Sequence, residues 1–224
     1  MIKNYILLII IFILFNYNSK KIFSYKLDFN NNFINQCNIK IYNYIDKFKK
    51  KTYNIKYNFF DNNNVYKVTS PKKYKNITLY QSKNSFKIYF PNLNIIKEFS
   101  TDNINEKIFN SNIFYNDLLN IKIENYNIKK NGNRNILLEN CDIFEFLPKI
   151  ENKKLNIDKI VIYYSKTKKM IFRKDIYRDN FIYYWKVLEY GIIKNIFVST
   201  KILIEKKSIK NPINYYNQTV VFIN

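Results

Sequence analysis

The C-terminal stretch, residues 158–224, constrains the fold more than any other part of the chain. Runs of apolar and aromatic residues follow one another there, and most of the connections between them are short and polar. The connections at 165–169 and 178–180 have hairpin length, whereas a parallel crossover needs about a dozen residues or more. Neighbouring runs should therefore pair as an antiparallel meander, with predicted strands at 159–164, 170–177, 181–190, 195–205 and 215–223.

Alternating apolar residues also precede this stretch. They predict strands, because successive side chains of a strand point to opposite faces of the sheet. The tripeptide Asn131-Gly132-Asn133 is a turn signal and predicts a hairpin. The strands predicted in this part of the chain are 53–59, 65–69, 76–81, 86–90, 126–130 and 135–147.

Two segments have helical spacing instead. Apolar residues recur at steps of three and four over residues 33–50, and a lysine cluster closes that segment, as the helix dipole favours. Asn103 and Glu106 have the spacing of a capping box, which predicts helix within residues 101–119. The first helix is expected to pack on the sheet through a stripe formed by Ile34, Cys37, Ile41, Ile45 and Phe48.

The N-terminus has the pattern of a leader. Lys3 precedes an almost wholly apolar run at 5–15, which polar residues follow, and this order is typical of a secretory signal. The run is short for a membrane span. We therefore expect a signal peptide at residues 1–24 and a single domain at residues 25–224, with an uncleaved leader that tethers the chain to the membrane as the alternative.

Composition excludes several classes of site. The absence of histidine excludes Ser-His-Asp and Cys-His catalysis and histidine metal sites. Two glycines cannot build a Gly-rich phosphate loop. The carboxylates Glu139, Asp142 and Glu145 have no evident catalytic partner and are interpreted as part of a solvated face. We therefore expect no enzymatic activity, catalytic residue, metal or cofactor.

The net charge of +21 would ordinarily suggest a nucleic acid or an anionic membrane as partner. However, Asn, Ile, Lys, Tyr and Phe are all over-used and alanine is absent, a bias that an AT-rich genome would produce. The lysine excess is therefore interpreted mainly as a solvated surface in transient contact with anionic membranes, and no nucleic-acid partner is expected. A basic single-strand nucleic-acid-binding protein, with bases stacked on exposed aromatic rings, stays open as an alternative.

A family resemblance rests on four segments, in the order SNIFYNDL (111–118), CDIFEFLPK (141–149), DKIVIYYSKTKKMIFRKDIYRDN (158–180) and TVVFIN (219–224). They resemble the bacterial outer-membrane lipoprotein-sorting family, the LolA-like periplasmic lipoprotein carriers, over roughly residues 50–224. In that family a short helical motif ending in Asp-Leu precedes a strand that finishes at a proline, and hairpins and a closing strand follow. The glycines that the family often carries in these motifs are missing here.

The resemblance implies both a fold and a function. The fold is mainly β with helices (α+β): a strongly curved, unclosed antiparallel β-barrel of about ten strands with helices covering the concave face. The function is that of a periplasmic carrier that binds lipoprotein acyl chains in an apolar cavity and shuttles them toward the outer membrane. Its partners would be acylated lipoproteins or lipid, and sorting proteins of the inner and outer membranes. The candidate cavity residues are the apolar positions on the matching strands: Tyr57, Phe59, Ile88, Phe90, Phe144, Phe146, Ile162, Phe172 and Ile202.

Further alternatives stay open. A non-carrying envelope sensor or binding module could use the same fold, because a fold does not determine a function. A carrier needs its apolar residues turned inward on a concave sheet, whereas a nucleic-acid platform needs them exposed beside lysines. Cys37 and Cys141 could form a disulfide in an oxidising periplasm, or Cys37 could be a small buried apolar residue.

Overall fold

The computed structural model shows a chain built almost entirely of strands. The predicted leader, residues 1–24, lies outside the part of the chain that the structure describes, so the division into a leader and one domain stays a prediction. The described residues are 36–44, 50–60, 63–82, 85–100, 107, 111–114, 117, 125–149, 156–193, 196–210 and 218–223.

All 13 described strands belong to one antiparallel sheet. Across the sheet, strands β1 and β13 pair in the middle, so the N-terminal strands extend the sheet in one direction and the C-terminal strands in the other. The outermost strands, β6 and β7, do not pair with each other within the described residues, and the curved sheet is unclosed. In chain order the strands are β1 (Gln36–Tyr44), β2 (Lys50–Phe60), β3 (Asn63–Ser70), β4 (Thr78–Gln81), β5 (Ser85–Phe90), β6 (Ile95–Ser100), β7 (Tyr126–Ile136), β8 (Glu139–Pro148), β9 (Lys159–Ser165), β10 (Met170–Arg178), β11 (Phe181–Ile193), β12 (Ile196–Ser208) and β13 (Gln218–Ile223).

The predicted C-terminal meander is confirmed. Strands β9 to β13 occupy the five predicted runs and pair in sequence order, with tight turns at 166–169 and 179–180. The sheet has more strands than predicted, since β1 lies in a segment predicted to be helical and β6 in a segment with no prediction. Edge strand β6 is largely exposed, so it lacks the clear alternation that marks the inner strands.

The prediction of a helix over residues 33–50 is wrong where the structure describes that segment. Residues 36–44 form β1, which pairs with β2 on one side and β13 on the other. Ile39, Ile41 and Asn43 are buried at a spacing of two. Asn, Ile and Tyr dominate this strand, and they have weak helix propensity, while Ile and Tyr favour strands. Pairing with two neighbouring strands therefore determines the structure of this segment, although its apolar residues have helical spacing.

Helices covering the concave face are not supported. Within the segment 101–119, residues 111–114 form bends and an isolated bridge between Lys107 and Phe114, and the other residues of the segment, apart from 117, lie outside the described residues. The helical element that the structure describes in full is the single 3-10 turn Lys72–Tyr74. In the described part of the chain, irregular backbone rather than helix lies over the sheet.

One face of the sheet is apolar and buried across most of its width, and we call it the inner face. Residues that are directly opposite on antiparallel strands point to the same side, so the strand registers trace this face from strand to strand. Every residue on the traced path is buried, which places most of the core on the inner face. From β5 to β8 the path is Ile88, Leu79, Tyr66, Tyr57, Ile55, Ile39, Ile41, Val221, Ile202, Ile204, Trp185, Lys174, Ile162 and Phe144.

The opposite face, which we call the outer face, carries paired charges. Arg173 donates hydrogen bonds of 2.7 and 2.8 Å to the two carboxylate oxygens of Asp175. Its guanidinium lies 5.0 Å from the ring centroid of Tyr163 and 4.9 Å from that of Tyr184. Such stacking and bidentate pairing suit arginine, and they compensate the buried carboxylate of Asp175.

The hairpin turn between β7 and β8 was predicted at the wrong position. Asn131-Gly132-Asn133 lies inside β7, where the register with β8 shifts and Gly132 has a φ of 93°. A glycine with positive φ can form a β-bulge as well as a turn. The chain reverses instead at Leu137 and Leu138, whose φ angles are 48° and 66°.

Replacing Leu137-Leu138 by Asn-Gly is expected to stabilise the protein by about 1–2 kcal/mol. Left-handed backbone costs an ordinary residue about this much, whereas Asn-Gly adopts it readily in two-residue turns. The Leu138 side chain is fully exposed, so its removal sacrifices no packing. Urea unfolding at equilibrium measures the change, and an unchanged midpoint would show that the turn is not strained.

Candidate functional site

Eight of the nine residues predicted to line a cavity take inner-face positions. Tyr57 and Ile202 are fully buried, whereas Phe90 is half-buried and packs at the margin of the core. Phe144 and Ile162 are direct cross-strand neighbours, but the eight are spread over five strands, so together they mark the extent of the face. Their role in lipid binding stays a prediction. The eight are Tyr57, Phe59, Ile88, Phe90, Phe144, Phe146, Ile162 and Ile202.

Phe172 is the exception among the predicted residues. The register of β10 with β9 shifts between Ile171 and Arg173, so Phe172 has no direct cross-strand partner on β9. Its ring is fully buried and packs edge-on against Tyr190, with the centroids 5.5 Å apart. Tyr190 in turn packs against Phe197. Phe172 therefore belongs to an aromatic cluster at a bulge, which regular alternation cannot predict.

A short segment covers the inner face over the C-terminal strands. This cover segment consists of residues 111–114 and Asp117, all of them buried. The backbone N–H of Asn112 donates a 3.0 Å hydrogen bond to the Thr219 hydroxyl on β13. The ring of Phe114 packs edge-on against Tyr183 on β11, with the centroids 5.2 Å apart. The cover segment thus bridges strands that are far from it in sequence.

A buried ion pair joins the cover segment to β10. Nη2 of Arg178 donates a 3.0 Å hydrogen bond to Oδ1 of Asp117, and the two side chains are only 1% and 2% exposed. Oδ2 of Asp117 accepts a 2.9 Å hydrogen bond from the backbone N–H of Phe114. The Phe114 ring also lies 4.1 Å from the Arg178 guanidinium carbon. Two opposite charges are therefore buried together beneath the cover segment.

Lys174 adds a further cation to the inner face. It lies opposite Trp185, and its ammonium is 4.9 Å from the ring of that residue. Burial lowers the pKa of Lys174 to about 8, with Asp117 opposing the shift and Arg178 adding to it. Burial likewise raises the pKa of Tyr183 to about 12, although the nearby guanidinium opposes that shift. The buried charges of Lys174, Asp117 and Arg178 therefore interact electrostatically.

Solved structures of proteins from three bacteria have the same architecture. A domain described as an outer membrane lipoprotein-sorting protein from Vibrio parahaemolyticus has a TM-score of 0.69 and 12% identity, with 84% of this chain and 82% of that chain covered. A DUF1329 family protein from Desulfovibrio piger ATCC 29098 has a TM-score of 0.69 and 15% identity over 84% and 82% of the two chains. A LolA superfamily protein from Nitrosomonas europaea has a TM-score of 0.63 and 12% identity over 84% and 83%. These likenesses show the fold.

A family model described as that of an uncharacterized protein matches residues 60–224. The chain belongs to a LolA-like family. The resemblance inferred from the four sequence segments is thereby confirmed. No curated protein matches this LolA-like chain. Within its described residues, no helix has the length and apolar character needed to cross a membrane.

The ion pair in this LolA-like protein was not predicted from its sequence. Alternation in the run 170–177 does indicate that Lys174 and Arg178 point away from Arg173 and Asp175, and this signal was available. Their partner Asp117 is 61 residues from Arg178 and lies outside the strands. Only the tertiary structure brings the three residues together.

The other polar candidates of the LolA-like chain are paired. Lysine side chains form salt bridges with all three carboxylates that were interpreted as part of a solvated face. Cys141 is a free, buried thiol, so the disulfide alternative is not realised. Burial, with Glu139 and Asp142 nearby, raises the pKa of that thiol to about 11, which keeps it protonated at neutral pH. The carboxylate pairs are Glu139 with Lys168, Asp142 with Lys130 and Lys166, and Glu145 with Lys159.

Proposed function

We propose that this LolA-like protein binds the acyl chains of lipoproteins or lipids on its inner face and carries them through the bacterial envelope toward the outer membrane. The observation that carries the proposal is the apolar inner face, which continues through direct cross-strand neighbours from β5 to β8. Each methylene removed from water contributes about 0.8 kcal/mol. An acyl chain leaves a bilayer only for a surface that is similarly apolar and excludes water. Binding alone suffices for this role, and the proposal assigns no catalytic residue.

The contacts between the cover segment and the inner face also support the proposal, because an acyl chain could replace some of them. It reaches the inner face through Asn112, Phe114 and Asp117, and the aromatic ring among them occupies apolar surface that an acyl chain could use. An entering chain would compete with Phe114 for contact with Tyr183. The proposal therefore includes the surface between the cover segment and β10 to β13 in the acyl-binding face.

Similarity to known structures supports an envelope role. One structural neighbour is described as an outer membrane lipoprotein-sorting protein, and another as a LolA superfamily protein. The proposed location is the periplasm, where the predicted leader would send the chain. An envelope sensor or binding module with the same fold would bind lipid without transferring it between membranes.

Mass spectrometry of the purified protein tests the proposal. The protein should retain lipid with acyl chains when it is isolated from cell envelopes, and it should pass that lipid from donor to acceptor vesicles. Retention without transfer would favour the sensor or binding module. Protein that carries no lipid and takes none up from vesicles would contradict acyl-chain binding altogether.

Phe90→Glu is expected to weaken binding of a fluorescent acyl probe by about tenfold or more, because the new carboxylate must be desolvated or must admit water to the inner face. Phe90 is half-buried, so the fold should tolerate the change better than a charge at a fully buried position. The matched control is Tyr89→Glu, which places the same charge on the adjacent, half-buried outer-face residue. Equal probe affinity for the two folded variants would contradict lipid binding at the inner face.

Lysine–aromatic contacts on the outer face favour a second candidate, nucleic-acid binding. The ammonium of Lys50 lies 4.3 Å from the ring of Tyr42, and that of Lys159 lies 4.6 Å from the ring of Tyr177. The apolar core is nevertheless buried, whereas a stacking platform needs exposed rings. Single-stranded DNA should therefore bind weakly and dissociate as salt rises. Tight binding that persists above physiological salt would favour the nucleic-acid candidate over the carrier.

A further inference from the structure

Arg178 has hydrogen-bonding capacity that the protein does not use. Nη2 pairs with Asp117, but Nε and Nη1 have no hydrogen-bond partner although the residue is only 1% exposed. Buried donors are almost always satisfied, because an unsatisfied one loses its hydration without compensation. Two unused donors on one buried guanidinium therefore indicate a missing acceptor.

Positive charges also outnumber negative charges among the described residues around Arg178. Lys174 and Arg178 are buried on the inner face, and Asp117 is the buried carboxylate that acts on both. Lys206 lies on the same face, opposite Tyr183. Burial followed by the charge of Lys107 lowers the pKa of Lys206, while the carboxylate of Asp179 opposes that shift. In the described part of the chain, cations therefore outnumber carboxylates at this site.

A row of apolar residues extends from Arg178 across the neighbouring strands β10, β9 and β8. Ile176 lies two residues from Arg178 on the same strand and face, Ile160 is directly opposite Ile176, and Phe146 is directly opposite Ile160. All three are buried. A cationic group at one end of a continuous apolar row matches an amphiphile with a charged head and a hydrocarbon chain.

We propose that Arg178, with Lys174 nearby, binds the anionic oxygen headgroup, a carboxylate or a phosphate, of an amphiphile whose hydrocarbon chain lies along the inner face. The inference rests on the proposed function, because it names the class of lipid that the inner face takes. Nε and Nη1 of Arg178 would each donate a charge-assisted hydrogen bond to an oxygen of the headgroup. Asp117 would remain the partner of Nη2.

Fluorescence titration tests the inference, because Trp185 is the sole tryptophan of the chain and lies beside Lys174. Dodecanoate, dodecyl phosphate, dodecanol and inorganic phosphate are compared at neutral pH, with the amphiphiles kept monomeric. Both anionic amphiphiles should bind at least about tenfold more tightly than dodecanol, as hydrogen bonds from a charged donor imply. Inorganic phosphate alone should bind far more weakly than dodecyl phosphate.

Substitutions locate the headgroup. The double variant Asp117→Asn/Arg178→Met removes both charges of the ion pair together, and its preference for anionic amphiphiles should fall to about threefold or less. Arg178→Lys, which keeps the charge but not Nε and Nη1, should retain part of the preference. Lys207→Met removes an exposed outer-face charge and should leave the preference unchanged. Far-UV circular dichroism and a cooperative melt establish that each variant is folded.

The outcomes separate this inference from the proposed function. Equal affinities of the wild-type protein for dodecanoate, dodecyl phosphate and dodecanol would overturn the anionic site while leaving acyl-chain binding intact, and this result needs no variant to fold. Failure of every amphiphile to bind would contradict the proposed function itself. Persistence of the full preference in the folded double variant, or inorganic phosphate binding as tightly as dodecyl phosphate, would also overturn the inference.

Discussion

Asp117→Ala is expected to destabilise the protein by about 3–5 kcal/mol, because it leaves the buried guanidinium of Arg178 without its carboxylate partner. The two side chains are 2% and 1% exposed, so water cannot readily replace that partner. The substitution also removes the acceptor for the backbone N–H of Phe114. Equilibrium denaturation at neutral pH, followed by far-UV circular dichroism, measures the loss.

A second substitution separates lost charge pairing from lost packing. Asp117→Asn/Arg178→Met removes the two opposite charges of the ion pair together, and removal of a whole buried pair is often neutral for stability. This double variant should therefore recover most of the stability lost in Asp117→Ala. Glu189→Ala is the surface control: its pair with Lys201 is 59% exposed on the carboxylate side, and the expected cost is about 1 kcal/mol or less. Equal costs for Asp117→Ala and Glu189→Ala would contradict a buried ion pair.

Lys174→Met is expected to be more stable than the wild type near neutral pH, by an amount that shrinks as pH rises. Burial lowers the pKa of Lys174 from its ordinary value of 10.5 to about 8. Each unit corresponds to about 1.4 kcal/mol, so a charged Lys174 costs about 3 kcal/mol in the folded state. Unfolding free energies of both proteins across this pH range measure the effect.

The direction of this pH dependence follows from proton binding. Between pH 8 and 10.5 the unfolded chain holds the Lys174 proton more tightly than the folded chain, so the stability of the wild type rises with pH across this window. Below the window both states are protonated and the full penalty remains. Tyr183, whose pKa is raised to about 12, titrates in both proteins and cancels from the difference. A stability difference that does not change between pH 7 and 10.5 would contradict the burial of a charged Lys174.

Alternation and connection length were sufficient to predict most of the sheet. Hairpin-length connections fix which strands are neighbours, and the two-residue period fixes which side chains share a face. For this reason eight of the nine predicted residues lie on one face although they come from five strands. Phe172 differs because a bulge in β10 adds a residue, and no local pattern in the run 170–177 signals it.

The errors came from local signals that tertiary contacts overrode. In β1, the polar residue Asn43 is buried and accepts a 3.3 Å hydrogen bond from Thr219 on β13, so the strand period is concealed in a sequence whose apolar residues also recur at helical steps. Gly132 marks a bulge, while Leu137 and Leu138 form a turn that ordinary turn preferences do not indicate.

Charged residues on the inner face were the least predictable part of the candidate site. Lys174 and Arg178 follow the alternation of β10, but polar side chains at inner positions read as breaks in the apolar pattern rather than as a site. Lys174 and Arg178 form a site only together with Asp117, which lies outside the strands. A contact of that kind is set by the path of the whole chain.

Quenching of Trp185 by phospholipid brominated on its acyl chains tests the central claim most directly. Trp185 is the sole tryptophan and lies on the inner face with 1% exposure, so bromine can quench its fluorescence only if an acyl chain enters beside it. Inner-face binding predicts saturable quenching by the brominated lipid and none by the same lipid without bromine. Undiminished Trp185 fluorescence, under conditions in which mass spectrometry detects the brominated lipid bound to the protein, would contradict the claim that the inner face holds acyl chains.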